Sequence, residues 1–202
     1  MVHRFHTPSN GLGLFWYSFQ YGNIHIVQFS SEHDFTEGSE QRAWLEADLR
    51  SVDRTETPFV IVTAHRPMYN SEDYKSDYEV SLHLRSAIEP LLDAYSVDVF
   101  LAGHYHSYER TCRVLEEVCQ EAVVSAQSPL VPHLQPGTVH ITIGSAGASL
   151  DGAEWYDVNW HAFGSYEFGY LRVISTRDTM KLEYVHNVDG SIGDFVEITA
   201  QF

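Results

Sequence analysis

Phe100-Leu101-Ala102-Gly103-His104-Tyr105-His106-Ser107-Tyr108-Glu109-Arg110 is an apolar run that stops at a glycine and hands over two histidines separated by one residue. In an extended chain residues i and i+2 point the same way, so His104 and His106 project to one side about 6.6 Å apart. Imidazole binds metals at about 2.0–2.1 Å, and the ions of two-metal phosphoryl sites lie about 3.5–4 Å apart. The pair can therefore take one shared ion or one ion each. Gly103, lacking a Cβ, is expected to carry the turn between the strand and the histidines.

Working outward, Ile61-Val62-Thr63-Ala64-His65-Arg66-Pro67 is a second apolar run that ends in a histidine. A helix-length segment separates the two runs, and apolar strands without alternation on either side of a helix predict a parallel βαβ unit with a right-handed crossover. Such strands share a carboxyl edge, where ligands of open α/β sheets bind. His65, His104 and His106 are predicted to converge there. A lone Gly-His-x-His is weak by itself, since a histidine at a strand end is more often a hydrogen-bonded loop residue.

Val62-x-x-His65 and Gly103-His104-x-His106 resemble the last two metal-binding motifs of the calcineurin-like metallophosphoesterases. The longer Ala102-Gly103-His104-Tyr105-His106-Ser107-Tyr108-Glu109-Arg110 is similar to the purple acid phosphatases. The resemblance continues through Phe15-Trp16-Tyr17-Ser18-Phe19, Gln41-x-x-Trp44-Leu45-Glu46-x-Asp48-Leu49, His65-x-Pro67-x-Tyr69 and Gly137-Thr138-Val139. It implies an α/β fold: a metallophosphoesterase-type β-sandwich flanked by helices (αββα), here its C-terminal part, as a single domain over 1–202. Residues 137–202 would be the C-terminal β region, closing in an antiparallel meander.

The same resemblance implies an acid phosphatase that hydrolyses phosphate monoesters at a binuclear centre, with His106 on Fe(III) and His65 and His104 on Zn, Mn or Fe(II). It places Tyr108, Glu109 and Arg110 around the ligands. Tyr69, Asn70 and Lys75, on the loop after His65, are the substrate-side candidates; Lys75 and Tyr74 stand where many purple acid phosphatases carry a phosphate-binding histidine pair. Cys112 and Cys119 flank a loop short enough for a disulfide, and members of this family often carry cysteines just after Tyr-Glu-Arg; two free thiols are the alternative. A disulfide would favour an oxidising compartment, hence a secreted, vacuolar or lysosomal protein.

Four ligands of the family come from Asp-x-Gly, Gly-Asp-x-x-Tyr and Gly-Asn-His motifs, none of which occurs in these 202 residues. The isolated chain is therefore expected to be inactive and to hold one divalent metal at most. Two rivals stand beside the phosphatase: a related phosphodiesterase or nucleotide pyrophosphatase, and a non-catalytic fragment or paralogue that binds one metal or a partner.

At 202 residues, with 44% hydrophobic and 13% aromatic side chains, the chain can bury a substantial core. Twelve basic against twenty-eight acidic residues give a net charge of −16. That charge argues against nucleic acid and anionic membrane as partners, and it means that a phosphate ester needs local positive charge, which bound cations supply. No apolar run reaches the length of a membrane span, and residues 1–8 have no signal-like apolar stretch. Oligomeric state is not legible.

The remaining chain predicts a hairpin of strands at 15–20 and 24–30 around Tyr21-Gly22-Asn23, with Asn23 in left-handed geometry rather than a ligand. A helix is expected over 39–52, a strand ending at His65, and a helix over 79–95 that Pro90 restarts or kinks. Residues 120–136 read as a connector. Strands follow at 139–143, 170–175, 181–186 and 195–199. Ser31-Glu32-His33-Asp34 reads as an ordinary polar loop, Gly144-Ser145-Ala146-Gly147-Ala148 as a close-packing turn, and His83 as a surface residue. His140 and His161 have no partner motif, and Gly193-Asp194 reads as a coincidental match to a ligand motif.

Overall fold

The computed structural model describes residues 4–73, 78–120, 130–131 and 136–200. In chain order the elements are β1 (Tyr17–Tyr21), β2 (Ile24–Gln28), α1 (Glu40–Arg50), β3 (Phe59–Thr63), α2 (Tyr78–Ala94), β4 (Val99–Ala102) and β5 (Tyr108–Leu115). Then come β6 (Val118–Cys119), β7 (Leu130–Val131), β8 (Thr138–Ile143), β9 (His161–Ser165), β10 (Gly169–Ser175), β11 (Thr179–His186) and β12 (Ile192–Thr199). The larger sheet runs β1-β2-β3-β4-β8-β5, and the far side of β5 is shared by β9 and β6. Its centre, β2 to β8, is parallel, as the unalternating apolar runs predict. The smaller sheet is the antiparallel meander β10-β11-β12, with β7 parallel to β12.

The sheets pack as a sandwich whose two cores divide each central strand by face. Val60 and Val62 join Leu45, Leu49, Leu84 and Ile88 beneath α1 and α2. Phe59 and Ile61 face Met180, Leu182, Val196 and Ile198 of the smaller sheet. Burial on both faces is why no period-2 pattern shows in the sequence. Among the described residues both helices cover the larger sheet. Ser39 caps α1, its hydroxyl accepting from the Arg42 N–H at 3.2 Å.

Three local expectations are corrected. Pro90 does not restart α2, which runs through it to Ala94 while Leu91 and Leu92 of that last turn are buried. In the β1–β2 turn the left-handed residue is Gly22, φ 60°, not Asn23. Asn23 instead accepts from the Ser175 hydroxyl at 2.6 Å and donates to the Thr176 carbonyl, stitching one sheet to the other. Residues 108–115, read only as site and cysteine residues, form the long buried strand β5. Most of the predicted connector, 121–129 and 132–135, lies outside the described residues.

Candidate metal centre

β3 and β4 are adjacent and parallel, so the loops that follow them leave by one edge. Hydrogen bonds continue the ladder past the strands, Ala64 N–H to Leu101 C=O at 2.9 Å and Gly103 N–H to His65 C=O at 3.0 Å. The result is a pair of imidazoles face to nitrogen: His104 Nδ1 lies 3.2 Å from His65 Nε2. Two nitrogens on one tetrahedral ion, each at about 2.05 Å, would sit about 3.3 Å apart. The pair therefore fits a shared cation, and the same separation is a hydrogen bond between neutral rings.

Arg66 selects the tautomer. Its Nη1 lies 3.3 Å from His104 Nε2, and a guanidinium only donates, so with no cation between the rings Nε2 accepts and Nδ1 carries the proton toward His65; a cation held by His104 Nδ1 would displace that proton, and with it the Arg66 contact. The His65 pKa is lowered by partial desolvation, then by the charges of His104 and Arg66, against the pull of Glu32. The shift favours the neutral ring, the form that binds metals. Arg66 is itself anchored by Glu32, Nε to Oε1 at 2.8 Å, and this contact holds the Glu32 carboxyl low although burial alone would raise it.

The turn that presents the histidines differs from expectation. The left-handed residue is His104, φ 71°, and Tyr105 N–H donates to Gly103 C=O across it at 2.9 Å. This is a γ-turn with positive central φ, the rarer and more strained form. Gly103 has no positive φ, and a Cβ there would meet only His65 O at 3.9 Å. Gly144 is the glycine that cannot be replaced, since a Cβ on it would stand 1.9 Å from Tyr105 O. The glycine-rich turn packs directly against the histidine turn, and the chain beyond it supports His106. Ser149 C=O accepts from His106 Nδ1 at 2.9 Å, and Asp151 Oδ2 accepts from the His106 backbone N–H at 2.6 Å. With its proton fixed on Nδ1, His106 keeps Nε2 as the lone-pair donor. Nothing in the sequence marked Ser149 or Asp151; the glycine run before them was the only signal.

The other sequence candidates are placed as follows. Tyr69 does not lean over the histidines: its ring is buried in the core under α2 and its hydroxyl donates to Glu89 at 2.5 Å, which with burial raises its pKa. Asn70 is buried, its Oδ1 accepting from the Glu72 N–H at 2.9 Å. Lys75 lies outside the described residues. Tyr108 and Arg110 reach the other sheet, Tyr108 Oη to Asp194 Oδ2 at 2.8 Å and Arg110 Nε to the same oxygen at 2.6 Å. Asp194 is thus an inter-sheet anchor, which the sequence reading missed.

Glu109 accepts from Ser71 Oγ at 2.5 Å and meets His161 Nδ1 at 2.9 Å, buttressing the loop after β3 rather than touching His104 or His106. Asp34 closes a turn with Thr36, and His33 pairs with Ser30 Oγ at 2.8 Å. His83 is exposed beside Phe35. Cys112 and Cys119 are joined by a disulfide across the β5–β6 hairpin. Among the described residues no three His, Cys, Asp or Glu side chains form a group able to hold a metal; Asp151 Oδ1 lies 3.8 Å from His106 Nδ1.

The calcineurin-like phosphoesterase family model matches residues 4–108, and the iron/zinc purple acid phosphatase-like protein C model matches residues 137–195. The protein named "Probable inactive purple acid phosphatase 9" of Arabidopsis thaliana is 36% identical over 197 residues, covering 92% of this chain and 28% of its own length. A purple acid phosphatase of Glycine max is 39% identical over 154 residues, 75% of this chain and 32% of its own. The solved structure of a purple acid phosphatase from yellow lupin (Lupinus luteus) seeds superposes with a TM-score of 0.81 at 29% identity, over 98% of this chain and 35% of that one. The chain thus spans about a third of the length of these two curated relatives.

Proposed function

Because the chain belongs to the calcineurin-like phosphoesterases, on their purple acid phosphatase branch, we propose that it supplies the histidine part of a binuclear centre that hydrolyses phosphate monoesters. The observation that carries this reading is the 3.2 Å approach of His104 Nδ1 to His65 Nε2 at the carboxyl edge of a parallel sheet. In this reading His65 and His104 hold the divalent ion, zinc, manganese or ferrous iron, and His106, oriented by Ser149, holds the ferric one through Nε2. Cations bound there supply positive charge to the phosphoryl oxygens and acidify the attacking water. Arg66 adds a fixed positive charge beside them on a chain whose net charge is −16. Residues 1–202 act as one domain, with 137–202 its C-terminal β region. The disulfide supports an oxidising compartment, secreted, vacuolar or lysosomal.

Three neutral imidazoles bring no negative charge to offset two cations, and among the described residues no group of three or more His, Cys, Asp or Glu able to hold a metal forms around them. The 202-residue chain on its own is therefore expected to hold one divalent ion weakly and to turn over no substrate. The test is release of phosphate from a generic monoester at acidic pH with iron and zinc present, beside a metal count per chain. Turnover should appear when a relative's preceding segment, with its carboxylates, is supplied. Robust turnover by the 202 residues alone with two metals bound would contradict the assignment and turn attention to Glu32.

A further inference from the structure

Arg66 follows His65 directly and ties together the loops that leave three neighbouring parallel strands. Its backbone N–H donates to Ser31 Oγ at 3.1 Å and its Nε to Glu32 Oε1 at 2.8 Å, both on the loop after β2. Its Nη1 donates to His104 Nε2 at 3.3 Å, on the loop after β4. The guanidinium therefore lies across the edge where His65 and His104 meet. Only 22% of the side chain is exposed, so these contacts replace much of the water that a guanidinium otherwise holds.

The two side-chain contacts respond differently to a cation. The Glu32 contact uses Nε and involves no imidazole, so it persists. The His104 contact needs a lone pair on Nε2, which a neutral ring has only while its proton is on Nδ1. Nδ1 is also the nitrogen that lies 3.2 Å from His65 Nε2. When His65 and His104 hold a cation, Nδ1 gives its lone pair to the ion and its proton to water, and the ring, still neutral, takes a proton on Nε2 instead. An N–H then faces an N–H, and Nη1 loses that acceptor. Arg66 is left charged beside the ion, still oriented by Glu32 through Nε.

We infer that Arg66 is a phosphoryl-binding residue made available by the cation: occupation of His65 and His104 turns Nη1 from His104 to an oxygen of the phosphoryl group. The inference rests on the phosphoesterase reading and adds to it an order of binding, cation first and phosphoryl group second. A guanidinium fixed through one nitrogen keeps others for charge-assisted bonds to a tetrahedral oxyanion. Without the cation Nη1 is occupied by His104, and an anion gains little from it.

The test titrates inorganic phosphate into the 202-residue chain, with and without zinc, for the parent, Arg66→Ala and Arg66→Lys, while nitrogen-15 spectra follow the imidazoles. Zinc should shift His104 Nδ1 and place the proton on Nε2. With zinc, Arg66→Ala should weaken phosphate binding about tenfold, and Arg66→Lys, which keeps the charge, by less. Without zinc the three should agree within about twofold. Zinc itself should bind Arg66→Ala no more weakly than the parent, because a neighbouring positive charge is gone; a variant that merely loosened the turn would lose zinc as well. Equal phosphate affinity of parent and Arg66→Ala with zinc bound, or an equal loss with and without zinc, would overturn the assignment and leave the metal reading standing. Zinc shifts absent from His65 and His104 would overturn the metal reading and this extension with it.

Discussion

His140 sits in the core between Tyr69 and Phe100, with neither ring nitrogen hydrogen-bonded, and burial, helped by the charge of Arg85, drives its pKa down to about 3. The folded protein thus refuses a proton that the unfolded chain accepts below about 6.5. Stability contributed by neutral His140 is complete above that value and is lost as the pH falls toward about 3, at up to roughly 1.4 kcal/mol per pH unit. His140→Phe removes the proton acceptor and keeps the aromatic fill. Urea unfolding at pH 7 and pH 5 should show the difference between variant and parent moving in the variant's favour on acidification; parallel pH profiles would contradict this. At the same scale, the approach of His65 to His104 was legible because each ends an apolar run, and the two runs pair as parallel neighbours that share an edge. Ser149 was not, because it acts through a backbone carbonyl that any residue carries, and Asp194 was not, because its partners lie more than eighty residues away in sequence.

Among the elements, the parallel strands and both helices followed from apolar runs and 3.6-residue periodicity. β5 escaped because its polar residues are buried with partners instead of alternating outward. Glu109 is taken by Ser71 and His161, Arg110 by Asp194, and Arg113 donates to the Gly137 carbonyl at 2.7 Å. The β5–β6 turn uses Glu116 and Glu117, both at positive φ, where glycine or asparagine is usual. It is held on α2 by the Arg85–Glu117 ion pair and by the Glu116 N–H on Glu89 Oε2 at 3.3 Å, on the loop after β3 by the Glu117 N–H on Tyr69 Oη at 3.1 Å, and closed on itself by the disulfide. The disulfide closes a sequence separation of 7, for which loop entropy predicts a contribution of roughly 2.5 kcal/mol. Replacing Cys112 and Cys119 together by serine should lower the free energy of unfolding by about that amount, read from urea midpoints. No change in midpoint would show that the hairpin contacts suffice without it.

Across the whole molecule, the sandwich is joined at its centre by an apolar core and by a buried charged cluster, Tyr108 and Arg110 of the larger sheet on Asp194 of the smaller. All three side chains are buried, so removing one charge leaves the other desolvated. Asp194→Asn should destabilise the fold by about 3 kcal/mol, seen as a lower thermal midpoint; a loss as small as that of a surface pair would mean that water reaches Arg110. The connection between β8 and β9 of the larger sheet carries Ser149 and Asp151 to His106, a dependence invisible in a sequence read motif by motif. The claim on which the account turns is that His65 and His104 share a cation through Nε2 and Nδ1 while His106 stays protonated on Nδ1. Long-range proton–nitrogen correlation spectra of the imidazoles during a zinc titration test it directly. The account predicts that the first metal-induced shifts fall on His65 Nε2 and His104 Nδ1, with His106 Nδ1 still bearing its proton; first shifts at His25, His33 or His161, with His65 and His104 unmoved, would contradict it.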